Sequence, residues 1–246
     1  MVKTWKHFLI ILVVLICFAV TTAAQVNNPQ ILLTGIFHGD EVVAQTGEKW
    51  LAMVPLNKRY VLVETRVQID LVRDELKDND NQKTGKKVSV DIDKKKPLFL
   101  LRGISNLKLG EIETIVAKTI PLEINKSIHL RLQNKQNYML SVVSEETSPP
   151  TVDDFKECSL ILTSGSKSQK IKTFGVYYPP NDKPVFASDA HPALLWAGDI
   201  DRDGALDLLL DLSNHYNISN PTLFLSSGSQ NNDFVIKKAD FISYGD

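Results

Sequence analysis

Cysteine is scarce in this chain: among 246 residues there are 2, Cys17 and Cys158. Cys17 sits in an apolar N-terminal run that reads as a removable leader, so a single Cys158 remains and no intrachain disulfide can form. Secreted eukaryotic domains are often stapled by several disulfides, so this usage points to a bacterial periplasmic or exported protein. Cys158 opens the strand-like run Cys-Ser-Leu-Ile-Leu and reads as a small buried apolar residue rather than a reactive thiol. An excess of one charge is missing as well. Lys and Arg number 28 against 29 Asp and Glu, a net charge of −1, which gives no electrostatic reason to expect nucleic acid or an anionic membrane as partner. Beyond the leader no run is apolar enough to span a bilayer, and no long amphipathic helix pattern stands out. Local catalytic motifs are absent too. There is no H-E-x-x-H, no G-x-S-x-G, no P-loop and no G-x-G-x-x-G, and His38, His129, His191 and His215 show no zinc-site spacing.

The first residues have the three-part layout of a secretory signal. Lys3 and Lys6 supply positive charge, Phe8 to Val20 is an unbroken apolar run of 13 residues, and Thr22-Ala23-Ala24 offers small residues for cleavage. The run is short for a transmembrane helix. Ile16 stands before Cys17 where a lipidation signal needs a small residue. The expectation is a signal peptide over 1–24, then an N-terminal β region over 25–122 and a C-terminal β domain over 123–246. The mature protein is expected to be periplasmic or secreted and not membrane-spanning.

From Ile31 onward short apolar runs alternate with turns. Ile31–Phe37 reads as a strand, followed by the polar turn His38-Gly39-Asp40-Glu41. Trp50–Val54 and Tyr60–Glu64 flank a hairpin turn, and Val67, Ile69 and Leu71 continue a half-exposed alternation. Lys77 to Lys96 is charged and reads as a long loop, or a loop around one edge strand at Val88–Val90. The segment Leu107–Ile120 fits either a strand or a short helix. Ile128–Leu132 with Tyr138–Val143, and Cys158–Thr163 with Lys170–Phe174, read as two further hairpins. Ala193–Trp196, Leu206–Leu212, Thr222–Leu225 and Phe234–Ile236 complete the strands. The fold class expected is mainly β, with antiparallel sheets and hairpins.

One stretch carries a chemical signal: GDIDRDGALDLLLDL, from Gly198 to Leu212. Asp199, Asp201, Asp203 and Asp207 fall at relative positions 1, 3, 5 and 9, with Gly204 at position 6. Carboxylates at alternate residues of a tight loop converge on one point, and the glycine permits a sharp turn that lets a backbone carbonyl join them. A flexible cage of hard oxygens suits Ca²⁺. An EF-hand would need a carboxylate at position 12 and flanking helices, whereas position 12 is Leu210 and the flanks read as strands. A dockerin-type loop fails on the same residue.

The segment Gly198-Asp199-Ile200-Asp201-Arg202-Asp203-Gly204-Ala205-Leu206-Asp207-Leu208 resembles the FG-GAP or VCBS-type repeat, the calcium-binding hairpin of integrin-α-like propeller blades. The likeness is specific over this loop and extends over a strand–loop–strand unit from Leu194 to Ile236. It implies that the carboxylates of Asp199, Asp201, Asp203 and Asp207 bind Ca²⁺ and that the Ala205 carbonyl completes the cage. A propeller needs about four blades or more, and the motif occurs once, so a decorated hairpin in a smaller β protein is expected rather than a full propeller.

The functional expectation is an exported, non-catalytic calcium-binding β protein. It would be a structural or binding module for a protein or carbohydrate ligand, with Ca²⁺ rigidifying the Asp199–Asp207 loop. The alternative is a secreted hydrolase whose Ca²⁺ is purely structural. A His–carboxylate pair in a pocket would favour that alternative, and an apolar patch near Asn214–Pro221 would favour the binding module. Neither His38 in its Gly- and Asp-rich turn nor Asp211 on its strand is read as catalytic.

Overall fold

The computed structural model describes residues 28–57, 59–92, 95–144, 156–179, 183–229 and 233–245. The expected signal peptide lies outside the described residues. The first half contributes β1 (Gln30–Leu32), β2 (Gly35–Phe37), β3 (Lys49–Leu56), β4 (Arg59–Val72), β5 (Gly85–Val90), β6 (Phe99–Arg102), β7 (Gly110–Val116) and β8 (Ile120–Pro121). A meander follows: β9 (Ser127–Arg131), β10 (Asn137–Ser144), β11 (Lys156–Ser164), β12 (Lys167–Tyr177) and β13 (Val185–Phe186). The last part holds β14 (Ala193–Asp199), β15 (Asp207–Asp211), β16 (Ile218–Ser219), β17 (Pro221–Leu225), β18 (Ile236–Asp240) and β19 (Ser243–Tyr244). The fold is mainly antiparallel β, as expected. No helix among the described residues is long and apolar enough to cross a membrane.

The largest sheet runs in the order β1-β6-β3-β4-β7-β14-β15-β17-β18 and curls until β1 approaches β18, a barrel-like sheet that is nearly closed. The meander forms a second sheet, β13-β12-β11-β10-β9, and β16 pairs with β19 in a small ribbon.

Two segments differ from the sequence-based reading, and a third that it left open is a strand. The run Ile31–Phe37 is two strands: β1 pairs with β6, whereas β2, beyond Leu33-Thr34, pairs with β5. The charged segment 77–96 contains β5, and this strand is not an edge, since it lies between β2 and β4. Its lysines are tolerated because Lys87 is exposed and the ammonium of Lys86 donates to the Val42 carbonyl at 2.7 Å. The ambiguous segment after Leu107 is β7, which joins the N-terminal strands to the C-terminal hairpin by pairing with β4 and β14.

Two hydrophobic cores result, and the hairpin β14–β15 with β17 serves both. Trp196, Leu209 and Leu223 enter the barrel interior beside Leu62, Phe99 and Met53. Their neighbours Leu194, Leu208, Leu210 and Phe224 face the meander's Leu130, Leu160 and Leu162. A strand covered on both faces must be apolar at consecutive positions, which accounts for the run Leu208-Leu209-Leu210. The acidic loop closes this shared hairpin.

Candidate metal centre

Gly198 ends the regular part of β14 where the chain has least room. A Cβ here would lie 2.0 Å from the Glu113 carbonyl oxygen of β7 and 2.4 Å from the Trp196 ring. The close approach lets β7 pair with the strand up to Asp199. Beyond it the backbone turns through Arg202 and Gly204, both at positive φ (62° and 84°). Glycine adopts that conformation without steric cost.

The loop brings three of the expected carboxylates together. Asp199, Asp201 and Asp207 each place an oxygen within 4.8 Å of the others, and all three residues are buried. Backbone N–H groups orient them. Asp199 Oδ2 accepts from Gly204 N at 2.8 Å and its Oδ1 from Asp203 N at 3.2 Å. Asp207 Oδ2 accepts from Ile200 N at 2.8 Å, and Asp201 Oδ1 accepts a longer 3.3 Å bond from Asp203 N. This cluster of oxygens can hold a metal ion.

Asp203 takes a different position. Its Oδ1 accepts from Ala205 N at 2.8 Å, and its two oxygens lie 3.0 and 2.9 Å from the Ser226 hydroxyl. Ala205 is placed by this bond through its backbone N–H. Arg202 does not turn toward the carboxylates; its guanidinium donates to the carbonyls of Leu109 at 2.9 Å and Lys108 at 3.3 Å.

Crowded carboxylates in a dry site resist ionisation. Burial pushes Asp207 up to about 8, the Asp201 charge adds to this, and the N–H groups of Ser226 and Ile200 only partly offset it. Asp199 is raised for the same first reason, with Asp203 and Asp201 contributing repulsion against the N–H bonds of Gly204 and Arg202.

Two residues that the sequence reading did not single out complete the surroundings. Ser226, just beyond β17, donates its backbone N–H to Asp207 Oδ1 at 2.8 Å. Asn134, at the tip of the β9–β10 hairpin, donates to the Gly204 carbonyl at 2.6 Å. Both are far from the loop in sequence and lie in ordinary turn composition, so no local signal marks them. Asp211 caps the turn after β15, accepting from Ser213 N at 3.0 Å and Asn220 N at 2.9 Å. His215 bonds Asn217 Oδ1 at 2.6 Å through its Nδ1. His191 lines a separate cleft of about 440 Å³ beside Glu123 and Asp189. Cys158 is fully buried and its thiol is pushed up to about 11 by burial, which makes it unreactive.

Comparison with protein-family models, with curated proteins and with solved structures finds no match to this chain.

Proposed function

We propose that this chain is an exported calcium-binding β protein, a structural or binding module in which the metal is non-catalytic and rigidifies the loop from Asp199 to Asp207. The observation that carries this reading is the convergence of the buried carboxylates of Asp199, Asp201 and Asp207 within 4.8 Å. Oxygen-only ligands in a tight loop suit a hard cation, and Ca²⁺ tolerates the irregular geometry such loops present. The resemblance of the segment to an FG-GAP or VCBS-type hairpin supports the same ion. In this reading Asp203 and the Ala205 carbonyl complete the ligand set, and the N-terminal leader exports the protein to the periplasm or beyond. The partner served by the module is a protein or a carbohydrate.

The location of the loop gives the metal a physical task. Negative charges packed this closely repel, and a cation between them removes the repulsion. Because the loop joins β14 to β15, its order bears on a hairpin that both hydrophobic cores share. Extracellular sites of this kind bind with dissociation constants on the order of 10⁻⁴ to 10⁻³ M. At ten to a hundred times that constant, binding to the folded state alone stabilises by about 1.4 to 2.7 kcal/mol.

The test is thermal unfolding in EDTA, then in millimolar Ca²⁺, with millimolar Mg²⁺ as control. The expected result is a rise with Ca²⁺ that Mg²⁺ does not reproduce. Equal melting temperatures in EDTA and Ca²⁺ would refute the metal reading and leave a self-capped acidic turn.

A further inference from the structure

The turn His38-Gly39-Asp40-Glu41 holds a second ordered group of ionisable side chains. It follows β2 and lies against the loop between β4 and β5. His38 is buried, and its Nδ1 lies 2.6 Å from Asp74 Oδ2. Burial opposes the charge of Asp74, but hydrogen bonds from His38 and from the backbone of Leu76 and Lys77 outweigh it and hold the carboxyl below its ordinary range. An ionised carboxylate only accepts, so Nδ1–H is the donor to Asp74, and in that tautomer the lone pair lies on Nε2.

The pair is held in place from behind. Asp74 Oδ1 accepts from Leu76 N at 3.1 Å and Lys77 N at 3.2 Å, so both carboxylate oxygens are fixed. Asp78 in turn accepts from Asp74 N at 2.8 Å and from Thr84 N at 2.7 Å. The backbone N–H of His38 is bound to Glu41 Oε2 at 3.0 Å. Gly39 lies so close to Thr84 that a Cβ would come within 2.0 Å of its carbonyl oxygen. Such support fixes both the tautomer and the direction of the ring.

The ring is buried but borders a cleft. Nε2 has no hydrogen-bond partner among the described residues, and it is not among the sealed side-chain atoms left unpaired. His38 lines a cleft of about 320 Å³ together with Ile36, Phe37, Arg73, Glu75 and Tyr244. That volume is in the lower range of small-molecule sites.

We propose that this cleft is a hydrolytic site for small carboxylic esters, with His38 Nε2 as general base toward water and Asp74 as its positioning residue. Nε2 takes a proton from water as the water oxygen bonds to the ester carbonyl carbon. The carbon–oxygen bond to the alcohol then breaks, and the departing alkoxide takes the proton back from the imidazolium. One ester and one water give one acid and one alcohol, and His38 returns to its starting tautomer. Asp74 stabilises the imidazolium between these steps. Arg73, whose Nε lies 3.6 Å from Glu75 Oε2 on the same wall, would have to leave that ion pair to meet the developing negative charge, and Ile36, Phe37 and Tyr244 supply apolar surface for the acyl group.

This site is separate from the acidic loop and carries the hydrolase alternative, in which Ca²⁺ remains structural. The two readings fail separately, because the loop is tested by unfolding in EDTA and Ca²⁺ and the cleft by ester turnover. The probes are p-nitrophenyl acetate and butyrate with the purified protein. Turnover above the buffer rate is expected, with kcat/KM lowered on the order of 10²-fold in His38→Gln. Asp74→Asn should lower kcat with little change in KM, and His129→Gln, on the exposed side of β9, should match the wild type. No turnover above buffer, or a His38→Gln rate equal to wild type, overturns the proposal. Should His38→Gln fail to fold, diethyl pyrocarbonate labelling of the wild type decides, read by peptide mass spectrometry. Loss of turnover must track modification of His38; a fully labelled His38 with turnover intact, or turnover lost with His38 unlabelled, also overturns it.

Discussion

The Ser226 hydroxyl lies 2.9 Å from Asp203 Oδ2 and 3.0 Å from Asp207 Oδ1, so one side chain beyond β17 ties together two carboxylates of the acidic loop. Its backbone N–H also reaches Asp207 Oδ1, at 2.8 Å. The hydroxyl has one proton and serves one carboxylate at a time, whereas the N–H serves Asp207 continuously. Ser226→Ala should therefore keep the loop in place but lose a hydrogen bond to a charged group, a cost of about 1.5 to 3 kcal/mol. Urea unfolding in EDTA measures it. The Ca²⁺-dependent rise in melting temperature should persist, because the hydroxyl orients Asp203 and Asp207 but is not one of the proposed ligands, and the backbone N–H still holds Asp207.

Asp201 makes the weakest protein contact of that group, a 3.3 Å bond from Asp203 N. Asp201→Asn should remove repulsion without removing structure. Stability in EDTA is expected to hold or rise, while the response to Ca²⁺ disappears. The double variant Asp201→Ala with Asp203→Ala should abolish the response as well. Melting curves of both variants with and without Ca²⁺ check this, and a surviving response would show that the ligands are assigned wrongly.

Leu208 and Leu209 are adjacent, fully buried and committed to different cores. In a strand with one wet face, truncating one of two neighbours is nearly neutral. Here Leu208→Ala and Leu209→Ala should each cost about 2 to 5 kcal/mol, measured by denaturant unfolding.

Gly198 has no space for a methyl group between the Glu113 carbonyl and the Trp196 ring. Gly198→Ala should force β7 and β14 apart and destabilise by about 3 kcal/mol, at the upper end of overpacking costs. The loss should appear with and without Ca²⁺, which separates a packing effect from a metal effect.

Asp74 and Asp78 predict an acid limb. Burial opposes the charge of each, but hydrogen bonds win: those from His38 and the Leu76 and Lys77 backbone for Asp74, and those from Thr84 and the Asp74 backbone, with the nearby Arg73 charge, for Asp78. A carboxyl lowered on folding contributes stability that is complete above its unfolded value and lost as pH falls through its folded one. The loss is therefore expected below the ordinary value of 3.8. Unfolding free energies measured between pH 6 and pH 2.5 should fall at the acid end, and less steeply in Asp78→Asn.

Much of the architecture was legible because antiparallel strands announce themselves locally. The hairpin β3–β4 follows from apolar runs around Pro55 to Arg59, and β11–β12 from the turn at Gly165. Where the reading failed, pairing rather than propensity decided. Ile31–Phe37 reads as one strand, yet its two ends, on either side of Thr34, pair with β6 and β5. The strand β5 carries Lys86 and Lys87 and looks like a loop by composition, and only its neighbours β2 and β4 hold it in the sheet. For the acidic loop, the spacing of Asp199, Asp201 and Asp207 was sufficient to anticipate their meeting, since a tight turn brings alternate residues together. It could not anticipate that Asp203 would face Ser226.

By itself the sequence determined the antiparallel β character and the acidic loop at a hairpin end, because period-two patterning and loop spacing act within a few residues. The tertiary structure alone decided that this hairpin lies between two cores, and that His38 meets Asp74 36 residues away. Those contacts depend on which strands find each other in three dimensions, and strand pairing over long separations leaves no mark on the residues nearby.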